Sequence, residues 1–285
     1  MNRQKNEPNF SIRRDILRLA DVNDPIFETL LDEREKIVYN LFYLIRSNPT
    51  SFIATDDKSY IFAQNSRRAP NWIFLKGEPD KAAANEIVAL LSGMVQLNPL
   101  LCINGNEQLL TPLLDQVTSR LDVPYKKNVP LAVYACDELH PIAPKGRIIT
   151  PREEHCAVIT EFVKHLSQDA SDLFLRTEDL DKFVVSLMYS HSLYLWEDEK
   201  VVAMAKIAHK TDRYARINTV YTDRASRGLG YTRMLIGTLC ESLMKQKLLP
   251  IVYVNDKSEE SSLVYQNLGF TRRGEITQFV FEQKL

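Results

Sequence analysis

Six consecutive residues, Arg227-Gly228-Leu229-Gly230-Tyr231-Thr232, have the composition of a phosphate-binding turn. They follow a β-prone stretch at 215–222 and precede an amphipathic stretch at 231–246, so we expect them at the amino terminus of a helix. The first N–H groups of a helix have no intrahelical partner, and glycine lets a phosphate approach the backbone without a Cβ in its way. Arg227 adds a positive charge. The pattern predicts a pyrophosphate site.

Common nucleotide-binding motifs do not explain this turn. No Gly-Lys-Ser/Thr is present, which excludes a P-loop. Arg227, Leu229 and Thr232 occupy the wrong places for the three-glycine dinucleotide fingerprint. A glycine pair taken alone is also typical of a simple tight turn, so the longer sequence context has to decide.

That context resembles the GNAT superfamily of acyl-CoA-dependent N-acyltransferases, whose signature is Arg/Gln-x-x-Gly-x-Gly/Ala between a strand and a helix. The run from Arg216 to Thr222 and on through Tyr231 is similar to a subgroup that reads V-Y-T-P-P-x-x-R-G-x-G-Y. The stretch 192–205 resembles the family's preceding hairpin, and Tyr265-Gln-Asn-Leu-Gly-Phe270 resembles its closing Y-x-x-x-G-F segment. The resemblance covers about residues 147–285.

The sequence departs from the family pattern at several positions. Asp223 and Arg224 replace the two prolines, and Thr232 stands where Gly or Ala is usual. Ser258 and Ser262 stand where asparagines are usual, although Ser261 is kept. Thr232 places a β-branched side chain in the expected phosphate turn, which either weakens coenzyme binding or shifts the turn.

The resemblance implies transfer of an acetyl group from acetyl-CoA to a primary amine of a small molecule or a peptide, with no metal. The backbone of the strand before the turn would pair with the pantetheine amides, and Val220 N–H would bind the thioester oxygen. Tyr265 would be the general acid for the leaving thiolate, although a tyrosine on an amphipathic helix is also a typical core residue. The residues expected to bind the coenzyme are Val220, Tyr221, Thr222, Arg227, Gly228, Leu229, Gly230, Tyr231 and Thr232.

The general base is not identifiable from the sequence. Glu197, His209, Asp223 and Asp256 are near the expected site, but each is also explained as a turn or surface residue, and His191 as a strand cap. The family often uses a chain of water molecules for this proton.

Three further polar residues are candidates for contacts near the thioester. Asn218 and Asn255 lie on strands expected to splay apart and could bond pantetheine or neighbouring backbone. Arg216 could simply pair with an acid.

Bulk composition excludes several other classes of function. The 285 residues carry a formal net charge of −1. The chain therefore has no overall positive charge that would attract nucleic acid or an anionic membrane. The sequence has no apolar stretch of about 18 residues, and its four cysteines form no C-x-x-C pair. We expect a cytoplasmic protein without a structural metal, and the oligomeric state stays open.

Elements before the site indicate an α/β chain with two domains. Residues 10–48 have helical periodicity, and 52–55, 59–64 and 72–76 are β-prone. Helices are expected at 80–96, 107–121, 150–166, 177–190, 231–246 and 258–267, and strands at 100–104, 130–136, 192–197, 201–209, 215–222, 250–255 and 276–282. The predicted fold class is α/β, with a mixed, mostly antiparallel sheet flanked by helices, and the resemblance implies the acyl-CoA N-acyltransferase fold in tandem.

The proline-rich stretch 138–146 is the best boundary, which gives a 1–140 domain and a 141–285 catalytic domain. The order of elements in the first half matches the second, so it is either a degenerate copy that has lost the coenzyme or an unrelated α/β partner domain. Two functional alternatives to the enzyme stay open: a catalytically weak acyl-CoA sensor or interaction module, and a structural protein that mediates assembly.

Overall fold

The computed structural model describes residues 18–20, 24–66, 69–98, 101–169 and 177–282. These form two compact units. The first comprises Leu41–Lys127 with the described parts of 1–32 and 277–285, and the second comprises Glu33–Asn40 and Asn128–Ile276. The domains predicted from the sequence are two contiguous stretches, 1–140 and 141–285. Instead each unit includes a segment from the other end of the chain.

Nine helices and thirteen strands occur within the described ranges. The helices are α1 (Ile26–Thr29), α2 (Glu33–Val38), α3 (Leu41–Arg46), α4 (Lys81–Leu97), α5 (Glu107–Leu121), α6 (Cys156–Asp169), α7 (Thr177–Met188), α8 (Tyr231–Lys245) and α9 (Glu259–Gln266). The strands are β1 (Arg18–Leu19), β2 (Phe52–Thr55), β3 (Tyr60–Gln64), β4 (Asn71–Leu75), β5 (Cys102–Gly105), β6 (Tyr125–Lys127), β7 (Leu131–Cys136), β8 (Arg147–Ile149), β9 (Leu193–Asp198), β10 (Lys200–Lys210), β11 (Tyr214–Thr222), β12 (Leu249–Asn255) and β13 (Phe270–Phe281).

The sheet of the first unit is an antiparallel meander with one parallel addition. Its order is β1-β2-β3-β4-β5, and the end of β13 pairs with β5. Only β4 and β5 are parallel, because α4 crosses between them. Apolar residues of α4 and α5, including Leu90, Leu91 and Leu114, are buried against the sheet. Their spacing of three and four residues is what a helix needs to bury one face.

The helical character predicted for residues 10–48 is confirmed at 26–29, 33–38 and 41–46 and is wrong at 18–19. Arg18–Leu19 forms β1 and pairs with β2, and three short helices, α1 to α3, follow. The same apolar spacing fits one long helix or several short ones, and periodicity does not separate them. Residues 10–17 and 21–23 lie outside the described ranges.

The sheet of the second unit has the order β13-β7-β12-β11-β10-β9-β8, using the first part of β13. All neighbours are antiparallel except β11 and β12, which α8 connects. One face packs against α8, through a core that includes Leu235, Leu239 and Ile217. The opposite face packs at one end against α6 and α7, through a core that includes Phe162, Val163 and Met204.

The predicted fold class is confirmed, since both units have a mostly antiparallel sheet with helices against it. Most predicted strands and helices begin and end within two residues of the observed ones. The strands β6 and β8 were missed, and β13 begins at Phe270 instead of near 276. The helix expected from a Thr150 cap begins at Cys156, after a 3₁₀ turn at Glu153–His155. Within the described ranges no helix is long and apolar enough to cross a membrane.

Candidate functional site

A β-bulge bends β11 just before its end. Met204 of β10 is opposite Tyr221 of β11, and Lys206 of β10 is opposite Asn218 of β11. Two residues along β10 therefore correspond to three residues along β11. The extra residue leaves Thr219 and Val220 without a register partner, and Thr219 has a positive φ of 52°. A bulge of this kind kinks a strand and turns its backbone groups away from the regular ladder. Val220 N–H therefore lies at an irregular point of the strand, where a ligand could replace a strand neighbour.

The same strand separates from β12 at this point. The parallel pairing of β11 with β12 runs from Tyr214 opposite Leu249 to Ile217 opposite Val252, and no further. Both strands continue, β11 to Thr222 and β12 to Asn255. The residues after Ile217 and Val252 thus line a gap between two diverging strands. An extended ligand that carries amide groups could pair with such strand edges.

The helix that follows the gap begins with an uncapped amino terminus. Gly228 and Gly230 have φ of 79° and 80°, and Gly230 is the N-cap residue of α8 with no side-chain cap. A Cβ at Gly228 would meet nothing within 4 Å, and one at Gly230 would meet only Met234 Cε at 3.9 Å. Positive φ explains why glycine is needed at both positions. A helix amino terminus without a side-chain cap can accommodate an anion.

Two hydroxyl groups and one arginine hold this turn in place. Thr222 Oγ1 and Thr232 Oγ1 are 2.7 Å apart, which ties the end of β11 to the first turn of α8. The Thr232 side chain is thereby hydrogen-bonded to the strand. Arg227 Nε donates to the carbonyl oxygen of Thr222, and Arg227 Nη2 lies 2.7 Å from Asp169 Oδ2.

Asp169 also pairs with Arg224, at 2.7 Å, so one carboxylate at the end of α6 bridges both arginines. The hydrogen bond from Arg227, followed by that from Arg224, lowers the pKa of Asp169 below its usual value. Arg224 stands where the motif that the sequence resembles has a proline, and its guanidinium group forms an ion pair with Asp169.

Three of the predicted coenzyme residues point their side chains elsewhere. Tyr221 is buried against Phe162, with ring centroids 5.1 Å apart. Tyr231 donates its hydroxyl to Asp198 Oδ2 at 2.6 Å, and that hydrogen bond is the main reason that the pKa of Tyr231 is raised. Leu229 is 61% exposed. These residues can serve a coenzyme at the turn only through their backbones or, for Leu229, through an exposed apolar side chain.

Tyr265 lies on α9 and is buried in the core shared with α8. Its ring meets that of Phe270 edge to face, with centroids 5.5 Å apart. Burial, with the neighbouring Cys240 as a smaller cause, raises the pKa of the Tyr265 hydroxyl well above its usual value. The phenol is therefore protonated at neutral pH, as a proton donor must be.

Most of the candidate bases are engaged in ion pairs. Glu197 pairs with Arg147 at 2.6 Å, Asp256 with Arg272 at 3.2 Å, and Asp223 lies 3.7 Å from Lys200 Nζ. His191, two residues before β9, has a positive φ of 52°. Within the described ranges no group of three His, Cys, Asp or Glu residues is arranged to hold a metal ion.

His209 is the exception among these candidates, because it belongs to a hydrogen-bonded group that the sequence did not reveal. Its Nε2 lies 3.0 Å from Asn40 Oδ1, while Asn40 Nδ2 donates to Tyr253 Oη at 2.9 Å and to the carbonyl oxygen of Ile37 at 2.7 Å. Since Asn40 Oδ1 is the acceptor, His209 carries its proton on Nε2 and leaves Nδ1 as a lone pair. Burial, with a smaller effect of Arg216, lowers the pKa of His209 to about 4.

No sequence signal connects Asn40 to this site, because it comes from the amino-terminal half of the chain, about 170 residues from His209. It belongs to the segment Glu33–Asn40, which is part of the second unit. Asn40 has no exposed surface, and Tyr253 donates its hydroxyl to Val38 O at 2.8 Å. Arg216 lies beneath this group, with its guanidinium carbon 4.0 Å from the centre of the Tyr253 ring.

The asparagines Asn218 and Asn255 both lie where β11 and β12 diverge. Asn218 Oδ1 accepts from the Thr219 hydroxyl, and Asn255 Oδ1 accepts from Lys257 N–H in a local turn. Both side-chain oxygens are thus used locally, which orients the amide groups. Their NH₂ groups remain as donors at the gap.

Comparison with known proteins supports one family for the second unit. Residues 159–270 match the family described as Acetyltransferase (GNAT) family. A comparison with curated protein sequences found no match.

Several solved structures share the fold across most of the chain. A Drosophila protein aligns over 94% of this chain and 99% of its own, with a TM-score of 0.64 and 10% identity. A GCN5-related N-acetyltransferase from Sphaerobacter thermophilus aligns over 94% and 95%, with a TM-score of 0.58 and 12% identity. An acetyltransferase from the GNAT family from Colwellia psychrerythraea aligns over 93% and 99%, with a TM-score of 0.52 and 15% identity. These likenesses concern the fold, and the similarity to GNAT structures extends over both units.

Proposed function

We propose that the second unit is an N-acyltransferase that moves an acetyl group from acetyl-CoA to a primary amine of a small molecule or a peptide. The observation that carries the proposal is the uncapped amino terminus of α8, with Gly228 and Gly230 at positive φ and open space in front of them. An exposed set of helix N–H groups favours a pyrophosphate, and the positive charge of Arg227 adds to this. The GNAT match over 159–270 favours acyl-CoA as the ligand of this turn.

The gap between β11 and β12 is where the pantetheine arm would lie. Its amides would pair with the backbone of Val220 to Thr222, and Val220 N–H would bind the thioester oxygen. In the reaction the amine nitrogen bonds to the thioester carbon, and the carbon–sulfur bond breaks. Stabilising the negative charge on that oxygen is the main task of a fixed N–H donor. The bulge at Thr219 supports this role, because it takes the Val220 backbone out of the regular ladder.

Tyr265 would give its proton to the departing sulfur. Its raised pKa keeps the hydroxyl protonated until a thiolate forms nearby. The proton of the amine would leave through water, because Glu197 and Asp256 are held in ion pairs. The same ion pairs favour the second candidate function, an acyl-CoA sensor or interaction module that binds without rapid turnover.

We also propose that the first unit is a degenerate copy of the same fold. In both units a three-stranded antiparallel meander leads through a helix to a strand parallel to the last one. The corresponding helix in the first unit, α4, is capped by Asp80, whose carboxylate accepts from Ala82 N and Ala83 N at 2.9 Å. A helix terminus that already holds a carboxylate has no site for a phosphate.

The thermal midpoint with and without excess acetyl-CoA tests the coenzyme site. At about 100 times its dissociation constant the ligand stabilises by roughly 2.7 kcal/mol, which raises the midpoint by several degrees. Gly230→Glu should remove this shift, because a carboxylate would occupy the phosphate position. The matched control is Gln246→Glu, which places the same charge at the other end of α8 and should keep the shift. No shift in the wild type would refute coenzyme binding and favour the assembly role.

Release of free thiol in the presence of an amine separates the enzyme from the sensor. Both bind acetyl-CoA, but only the enzyme produces CoA at a rate that depends on the amine. A Tyr265→Phe variant should bind acetyl-CoA as the wild type does. Its rate of thiol release should be lower by a factor of up to about 10². Equal rates in the two proteins would remove Tyr265 from the catalytic role.

A further inference from the structure

The face of the second unit's sheet that lies away from α8 is polar where β11 and β12 diverge. Alternation along the strands defines this face: Ala205, Ile217 and Val254 pack in the α8 core, so their neighbours point to the other side. Those neighbours are Lys206 on β10, Asn218 on β11, and Tyr253 and Asn255 on β12. Lys206 and Asn218 are cross-strand partners and hence lie side by side.

This polar surface, formed by Lys206, Asn218 and Asn255, has a covered region on either side. On one side Met204 and Tyr221 pack against α6 and α7. On the other side Asn40 joins His209 to Tyr253. The surface therefore forms a floor between two walls, directly beside the gap in which the thioester would lie.

The floor presents hydrogen-bond donors. The side-chain oxygens of Asn218 and Asn255 accept locally, so their NH₂ groups face outward from these bonds. Lys206 is half-buried, and within the described ranges it forms no ion pair with a carboxylate. Burial is the sole cause that lowers the pKa of Lys206, which means that no described anion offsets the loss of water around the ammonium group.

A partly desolvated ammonium group beside the Asn218 amide, with the Asn255 amide on the other strand of the gap, is a site for an anion. Acetyl-CoA places its phosphates at the α8 turn, on a different part of the unit, so the anion at the floor must come from the other substrate. We infer that the acceptor is an amine that carries its own carboxylate, and that Lys206, with Asn218 and Asn255, binds this carboxylate while the amine faces the thioester. This inference rests on the proposed function and specifies its acceptor.

Pairs of amines that differ only in the carboxylate test the inference. Suitable pairs are glycine with glycinamide, and phenylalanine with phenethylamine, each with acetyl-CoA and a thiol-release readout. A charged hydrogen bond contributes about 1.5–3 kcal/mol, so the KM of the carboxylated member should be about 10- to 100-fold lower. Lys206→Met should raise that KM by a similar factor and leave the KM of the neutral member unchanged, while Lys206→Arg should retain the preference.

The control is Lys210→Met, an exposed lysine four residues along β10 that bonds Gln246 and lies outside the floor. It should behave as the wild type. A second readout does not depend on turnover. It is the change in the thermal midpoint of the CoA-saturated protein when the same amines are added.

Coenzyme binding keeps the two proposals apart. If acetyl-CoA raises the midpoint of wild type and Lys206→Met alike, but both members of each pair react equally, the inference is overturned and the coenzyme site stands. Failure of every carboxylated amine to react or to bind, while acetyl-CoA binds, overturns the inference as well. If acetyl-CoA does not bind to the wild type, both the proposed function and the inference that rests on it are refuted.

Discussion

The hydroxyl groups of Thr222 and Thr232 lie 2.7 Å apart and join the last residue of β11 to the first turn of α8. Thr222 is buried, so its hydroxyl depends on this partner. The position of Thr232 is one where the family usually has Gly or Ala. The departure therefore contributes a hydrogen bond between the two elements that frame the phosphate turn.

Thr232→Ala should lower the free energy of unfolding, although it introduces a residue that the family prefers at this position. Loss of the partner leaves the Thr222 hydroxyl unsatisfied, which costs about 1–2 kcal/mol in the free energy of unfolding. Urea denaturation measures this change. The double variant Thr222→Val with Thr232→Ala should be less destabilised than the sum of the single variants. Additive effects would mean that the two hydroxyl groups do not interact.

The local order of strands and helices could be predicted from the sequence, because apolar periodicity and turn residues are local signals. The helix α5 was placed at its observed ends, where Asn106 caps the first turn and Asp122 ends it in the left-handed conformation. The signal for the proposed phosphate turn was also local, since six adjacent residues contain it.

The relations across the chain could not be predicted. Asn40 reaches His209 only because the segment 33–40 belongs to the second unit, and nothing in its local pattern indicates this. The Asp169 bridge to Arg224 and Arg227 joins two elements more than 50 residues apart. Near the start of β13, Phe270 is followed by Thr271, Arg272 and Arg273, whose polarity is typical of a loop. Pairing of this part of β13 with β7 overrides that preference.

Two glycines at similar φ should respond very differently to alanine. Gly228 has φ 79° with nothing near its absent Cβ, whereas Gly269 has φ 98° and a Cβ there would overlap the carbonyl oxygen of Glu138. Gly228→Ala should cost only about 1 kcal/mol for the left-handed backbone. Gly269→Ala adds a clash with backbone and should cost at least about 3 kcal/mol.

Urea denaturation of the two variants, measured side by side, checks this pair. Comparable losses for both would show that the contact between Gly269 and Glu138 is not tight. The Gly228 variant also serves as a test of the turn, because it should retain its fold and allow acetyl-CoA affinity to be measured separately.

The stability of the second unit should fall as the pH drops from 6.5 towards 4. Burial lowers the pKa of His209 to about 4, whereas an exposed histidine in the unfolded chain has a pKa near 6.5. The neutral ring is favoured in the fold, so its contribution is fully present above pH 6.5 and is lost as protonation begins to favour the unfolded chain. The expected loss is about 2 kcal/mol between pH 7 and pH 4, below the full value of the pKa shift because the ring is half-buried.

His209→Gln removes the titrating group and keeps a side-chain N–H that can reach Asn40. Its unfolding free energy should depend less on pH than that of the wild type over the same range. Parallel pH profiles for the two proteins would show that His209 titrates normally and that its hydrogen bond to Asn40 does not hold it neutral.

Asn40 should be among the most sensitive polar residues of the second unit. Its side chain has no exposed surface and bonds Ile37, Tyr253 and His209 at 2.7, 2.9 and 3.0 Å. Asn40→Leu keeps the branched shape of the side chain but leaves the Tyr253 and His209 groups without this partner, which should cost about 2–4 kcal/mol. The control Asn48→Leu changes the same residue type in the first unit, where the side chain bonds Asn65 near the surface, and should cost about 1 kcal/mol. The same variant should also affect the binding of the amine, because Asn40 forms one wall of the polar floor. In Asn40→Leu the KM for the amine should rise, while the KM for acetyl-CoA stays near the wild-type value. A variant that loses stability with both KM values unchanged would limit Asn40 to a structural role.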